Sequence, residues 1–401
     1  MRHRTMALLA PVSAAWLLAS VARADEQAPP PGAAPAPPSL LPAMTGPLAV
    51  NAKPASFDLG PLGGKVYITG ALTGLAMWQN SVAPGDHDSQ LDISNGQVFI
   101  NKPDGLFQYF VEVGAYALPD IGAPYVKAST ATRATYGVVP QALFKIAPTP
   151  TFSVEVGKLP TLMGAEYTFS FENINVERGL LWNQEPAVSR GVQANYTLGS
   201  VAFSVSLNDG LYSNHYSWVS ASATWTINKT NTLALIGAGN TERTDIATTA
   251  TPLFQNNEQI YNLIYTYTNG PWIVEPYVQY SHVPNYPAVG GFHSATTFGG
   301  ALFIDYSFGG KSRLAGFSLP VRFEYITTSG GPADGIPNLL YGSGSNAWSI
   351  TVTPTYQYKI YFIRAELSYV SATNATPGSV FGPNGLATSQ TRGLIETGVL
   401  F

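Results

Sequence analysis

The stretch Arg392-Gly393-Leu394-Ile395-Glu396-Thr397-Gly398-Val399-Leu400-Phe401 decides the fold. Arg392 and Glu396 fall on one parity, and Ile395, Thr397, Val399 and Phe401 on the other. Successive side chains of a strand point to opposite faces, so the pattern is that of a strand with one wet face and one apolar face. The arrangement recurs upstream, where Arg322 and Glu324 alternate with Val321, Phe323 and Tyr325. Likewise Arg364 and Glu366 alternate with Ile363, Ala365, Leu367 and Tyr369. Further period-two segments run through 66–78, 107–114, 152–157, 192–198, 201–208 and 348–356.

A soluble β-sandwich would bury its apolar faces and expose its polar ones. The connections between strands argue against that. Short turns are expected at Asn101–Asp104, Pro148–Pro150, Gly199-Ser200, Asn228–Thr230, Asn269-Gly270, Gly309–Ser312 and Gln357–Lys359. Longer loops fall between them, near 79–90, 118–133, 159–188, 209–215, 240–257, 281–294, 328–345 and 371–390. Strict short–long alternation specifies an all-β, antiparallel, up-and-down transmembrane barrel, with turns on one rim and loops on the other. These connections separate about sixteen strands, and boundary errors of about two to four residues leave fourteen to eighteen open. The apolar parity would face lipid, where a basic side chain costs about 2–4 kcal/mol at the midplane. The charged parity would line a water-filled lumen, being too polar to pack dry. Trp78, Trp218, Trp272, Tyr306, Phe308, Tyr325 and Trp348 lie near strand ends and suit interfacial girdles.

Composition agrees. Charged residues are 11% and aromatics 12%, yet beyond the first residues no apolar run reaches the length of a spanning helix. The N-terminus reads as a secretory signal over 1–24: a basic Met-Arg-His-Arg start, an apolar run from Met6 to Val21, then Ala22-Arg23-Ala24, with cleavage expected near Asp25. Its removal leaves 17 basic residues against 24 acidic ones, a formal charge of −7, which excludes nucleic acid as a bulk electrostatic partner. Residues 25–62 hold ten prolines and are expected to be a disordered periplasmic tether or leader. The barrel is expected over 63–401. Cysteine is absent, so disulfides and thiolate chemistry are excluded.

The connection 159–188 is the longest and carries Glu166, Glu172, Glu177, Arg178 and Glu185 beside Phe169, Phe171, Leu180, Leu181 and Trp182. The apolar residues call for burial, which favours folding into the lumen, with the charges brought to a constriction, over an exposed loop covering the outer rim. Wall acids Glu112, Glu155, Glu275, Glu324, Glu366 and Glu396 would then face Lys145, Lys158, Arg190, Arg322, Arg364 and Arg392 across a narrow gap, creating a transverse field.

Gly157-Lys158 through Gly164-x-Glu166, Asn173-x-Asn175-x-x-Arg178, Glu185-Pro186 and Asn208-Asp209-Gly210 together resemble the OmpL-like β-barrel porin family, from about residue 60 to the end. The proline-rich leader departs from that family's pattern. The resemblance implies a bacterial outer-membrane porin with no catalytic residues to carry over. Its partners would be outer-membrane lipid and small hydrophilic solutes or ions, and porins of this size often form homotrimers. The closing strand ending on Phe401 is similar to the terminal signal read by barrel-assembly machinery. A structural or adhesive barrel acting through its loops is the alternative, and an outer-membrane lipid hydrolase a more distant one. No constellation supports the latter: Asn214-His215-Tyr216-Ser217 has no nucleophile elbow, and Asp86-His87-Asp88 reads as a solvated loop tip rather than a metal site. No cofactor is expected.

Overall fold

The structure, a computed structural model, describes residues 44–401 apart from 310–311, 332–333, 335 and 338. The expected signal segment and residues 25–43 of the proline-rich stretch lie outside the described residues.

Sixteen strands run in chain order: β1 Lys65–Gln79, β2 Ser89–Lys102, β3 Phe107–Tyr116, β4 Ala142–Thr149, β5 Phe152–Pro160, β6 Val188–Leu198, β7 Val201–Asn208 and β8 Trp218–Asn228. They continue with β9 Asn231–Asn240, β10 Gln259–Asn269, β11 Trp272–Val283 and β12 Ala295–Tyr306. β13 comprises Phe317–Ser318 and Val321–Thr328, and β14 comprises Asn346–Val352 and Thr355–Tyr358. β15 Tyr361–Thr373 and β16 Ser389–Leu400 complete the set. Pro320 and Pro354 interrupt β13 and β14 because a prolyl residue has no N–H to give the ladder.

Each strand pairs antiparallel with the next, and β16 closes on β1 with Leu400 opposite Ala71 and Arg392 opposite Gln79. From Ala71 to Gln79 this closure leaves no open edge on β1, so the backbone groups there are paired within the wall. Hairpins alternate with long loops as the sequence predicts. The turn expected at Gly309–Ser312 falls partly outside the described residues. The loop expected at 118–133 extends to residue 141 and contains a short helix, Ala128–Ala134.

The parity also holds. Phe323, Tyr325, Ile363, Leu367 and Ile395 are exposed on the outer face, whereas Arg322, Glu324, Arg364, Glu366, Arg392 and Glu396 are buried inside. Trp78, Trp348 and Tyr325 are exposed toward the loop rim and Trp272 toward the turn rim, where it packs on Tyr306. Trp218 corrects the girdle reading. It is fully buried beneath the loops, with Nε1 donating to the Asn256 carbonyl at 3.2 Å.

Residues 44–62 correct the expectation of disorder for the end of the leader. Ala55–Asp58 pairs antiparallel with Lys65–Ile68 of β1. It fills the stretch of β1 edge just beyond Phe401, whose own N–H and carbonyl bond to Gly70 at 3.0 and 2.9 Å. These four residues are proline-free, and the β1 edge would otherwise carry unpaired backbone groups. Upstream, Leu48 is buried in the apolar cluster that also holds Phe99, Phe169, Phe171 and Leu400.

Candidate functional site: the lumen and its internal loop

β5 ends at Pro160 and β6 begins at Val188, and the connection between them turns into the barrel. Phe169, Phe171, Leu180 and Leu181 are fully buried there, as their composition requires. An irregular segment inside a barrel needs partners for its backbone groups. The period-two register of β13, β15 and β16 supplies them.

Two wall carboxylates accept loop N–H groups. Glu366 takes Val176 N at 2.6 Å and Glu177 N at 3.0 Å, with Thr353 Oγ1 at 2.7 Å as a third donor. Glu324 takes Leu180 N at 3.0 Å and Ser349 Oγ at 2.9 Å. The loop comes so close here that a Cβ on Gly179 would lie 2.0 Å from Glu324 Oε1, so only glycine fits without displacement.

Three wall guanidinium groups donate in the opposite sense. Arg364 bonds the carbonyls of Asn173 at 3.0 Å and Ser170 at 2.9 Å while pairing with Glu396. Arg322 bonds the Glu177 carbonyl at 2.6 Å and the Glu166 carboxylate at 2.7 Å. Arg392 pairs with the Glu177 carboxylate and reaches the carbonyls of Asp120 at 3.0 Å and Ala123 at 2.8 Å. Arg178 is fully buried, ion-paired to Asp120 at 2.8 Å and stacked 4.0 Å from the Trp182 ring centroid.

These contacts correct the expected transverse field. Arg322, Glu324, Arg364, Glu366, Arg392 and Glu396 do not oppose one another across water but are consumed in direct pairs and in hydrogen bonds to the loop. Such pairs add little net stability, yet removing one partner strands the other charge in a dry site. Within the loop, burial pushes the Glu172 and Glu185 carboxyls up to about 8. Burial also raises Glu166, to about 7, against the pull of Arg322.

The remaining candidates separate into two groups. Lys145 and Glu155 face the lumen and pair at 3.1 Å, Glu275 accepts from Thr266 at 2.7 Å, and Glu112 is buried beside Gln97. Lys158 and Arg190 do not face the lumen. They share the outward parity of Val156 and Val192, at the loop-side ends of β5 and β6. Loops cover them: Lys158 Nζ donates to the Val139 carbonyl at 2.7 Å, and Arg190 pairs with Asp209 at 2.7 Å under the ring of Tyr212. Covered in this way, a cation on the lipid-facing parity escapes the cost expected in hydrocarbon. Asp120 and Ser170, which sequence reasoning missed, also hold the loop; Ser170 Oγ donates to Glu396 at 2.6 Å.

The loop packs against the side formed by β10–β16 and reaches β2 through Ser170 and Asn95. Opposite, where its stems Thr161, Leu162 and Pro186 approach the wall, a gap of about 10 Å³ remains, lined by Ser189, Gln193, Ser206, Asn208 and Ser220. That is room for about one water. Among the described residues no cluster of three or more His, Asp or Glu could hold a metal ion.

A closed sixteen-stranded barrel with an apolar outer face and an inward-folded loop defines the porin class of outer-membrane channels. Its fold is similar to the anion-selective porin of Comamonas acidovorans (TM-score 0.56, 12% identity, covering 84% of this chain and 99% of that one). It is also similar to OmpT of Vibrio cholerae in its trimer form (TM-score 0.54, 10% identity, 84% and 99% covered). The outer-membrane channel DcaP of Acinetobacter baumannii is comparable (TM-score 0.54, 11% identity, 84% and 97% covered). No curated protein sequence matches the chain. Residues 65–401 match the model of the family described as Putative beta-barrel porin-2, OmpL-like, and the chain belongs to that family of outer-membrane porins.

Proposed function

We propose that the protein lets small hydrophilic solutes cross the outer membrane by passive diffusion, through a lumen whose bore is set by the loop at 161–187. The observation that carries this reading is the way the loop is held. It is fastened along one side of the barrel by Glu324, Glu366, Arg322, Arg364 and Arg392, while the opposite wall keeps partly exposed polar side chains such as Asn195, Ser204 and Lys145. On this reading Glu166, Glu172, Glu177 and Arg178 shape the constriction from within the loop, and Lys145, Glu155 and Glu275 line the wider bore. A signal over residues 1–24, a periplasmic leader after it, recognition of Phe401 by barrel-assembly machinery, and a homotrimer complete the proposal. Purified protein in planar bilayers should show discrete conductance steps, and liposomes containing it should swell in small sugars. Absence of both would refute the reading.

One observation favours a second reading, a structural or adhesive barrel. The gap beside the loop stems holds only about 10 Å³. That reading expects no swelling in any solute but retained surface binding through the loops.

A further inference from the structure

Glu166, Glu177 and Arg178 of the constriction loop are ion-paired, Glu166 and Glu177 with the wall arginines, while Glu172 and Glu185 are buried within the loop. The lining of the gap between loop stems and wall carries no charge. Of the six wall residues at the gap, Pro160 ends β5 and the other five are serine, glutamine and asparagine, while the loop contributes Thr161, Leu162 and Pro186. The wall groups form an ordered ladder. Asn208 Nδ2 donates to Ser206 Oγ at 2.9 Å and to Ser220 Oγ at 3.2 Å, and Gln193 Nε2 donates to Asn195 Oδ1 at 2.9 Å. The ladder continues along the wall to Glu155, which accepts from Asn195 at 3.1 Å and pairs with Lys145. They form a neutral pair.

Resting on the porin reading, we infer that this gap is the selective eyelet of the channel and that it favours small uncharged solutes bearing hydroxyl or amide groups. An ion entering a gap of this width gives up most of its water and meets no countercharge, so its desolvation goes uncompensated. A neutral polyol loses only hydrogen bonds, and the serine and amide ladder returns them in both senses, as donor and as acceptor. The eyelet widens by movement of the loop stems, while the buried fastenings on the opposite side remain in place.

The test uses the full-length protein in liposomes and bilayers. Wild type should swell at least about fivefold faster in a neutral pentose than in a sugar acid or an amino sugar of the same size. Its reversal potential in a tenfold potassium chloride gradient should stay close to zero. Gln193→Glu, nearly isosteric, should shift the reversal potential toward cation preference. Because the chain has no cysteine, Ser206→Cys can be folded first and then modified with a cationic or an anionic thiol reagent. The two reagents should shift the reversal potential in opposite directions, whereas Lys145→Gln should move it less than either. Strong charge selectivity in the wild type, or eyelet changes without effect while Lys145→Gln acts, would overturn the eyelet and leave the porin intact. Absence of current and swelling would overturn both.

Discussion

Glu366 is the clearest place to ask whether wall carboxylates hold the loop. Its two oxygens accept the N–H groups of Val176 and Glu177, and both residues are fully buried. In Glu366→Gln the side chain keeps its size but retains one acceptor oxygen, and the new NH₂ is turned against a backbone donor. One loop N–H is then left without a partner in a dry site, at about 1–3 kcal/mol. At about 1.4 kcal/mol per tenfold, local opening of that stretch becomes about 5- to 150-fold more frequent. Amide exchange measured by mass spectrometry in detergent or nanodiscs should therefore accelerate by that factor at Val176 and Glu177. Leu180, held by Glu324, should change far less, because Glu324 and the arginines still tie down the rest. Glu324→Gln should give the reverse pattern. If Glu366→Gln leaves exchange at Val176 and Glu177 unaltered, the carboxylate is not what secures the loop.

Gly179→Ala places a Cβ 2.0 Å from Glu324 Oε1 and should cost about 1–3 kcal/mol by overpacking, read as a lower midpoint of heat-induced unfolding on gels. Arg392→Met leaves the Glu177 carboxylate buried without its partner; a loss of about 3–5 kcal/mol is expected, and chemical denaturation would measure it. Glu172 and Glu185, raised to about 8 in the docked loop, keep protons there that a released loop would shed from its ordinary carboxylate range upward. Docking should therefore be strongest at low pH, weaken as pH rises through that window and level off above about 8, as exchange rates corrected for intrinsic chemistry would show; Glu172→Gln with Glu185→Gln should flatten the profile. Gly46→Ala sets a Cβ 2.4 Å from the Asn173 carbonyl oxygen and should free residues 44–48 from the loop, measured as faster proteolysis before Ala55.

The barrel was legible because its signals are local. Period two distinguishes Arg322 from Phe323 without knowledge of anything distant, and the turn–loop rhythm counts strands without knowledge of their pairing. Where a tertiary neighbour overrules the local rule, the reading failed. Trp218 sits at a strand end like the girdle tryptophans, but the surrounding loops bury it and offer its N–H a carbonyl. Ala55–Asp58 lies among prolines, yet pairs because the β1 edge beyond Gly70 needs a partner. For Lys158 and Arg190 the parity itself was the better guide. Their positions match Val156 and Val192, and only the assumption that cations seek the lumen placed them inside.

The site was legible in membership but not in connection. The aromatic and aliphatic residues of the loop at 159–188 favour its entry into the barrel over an exposed position on the rim, and the structure places it inside. Which charge meets which does not follow, since Glu177 and Arg392 are 215 residues apart and Ser170 and Glu396 are 226 apart. No spacing rule spans such distances, and the same residue list is compatible with two different pores. In one, acids and bases stand apart across water and their field acts on the solute. In the other, the acids take backbone N–H groups, the bases take carbonyls, and the field collapses into the fastening. The deciding physics is the irregular backbone of the loop, whose donors and acceptors must be satisfied once water is excluded. Glu324 and Glu366 are drawn into that task because the loop lies against β13 and β15, whereas Glu155, with no loop backbone beside it, pairs with Lys145 on the adjacent strand. Charge on a pore wall therefore reports selectivity only where no loop backbone claims it, and in this barrel that condition is met on the side of Lys145 and Glu155.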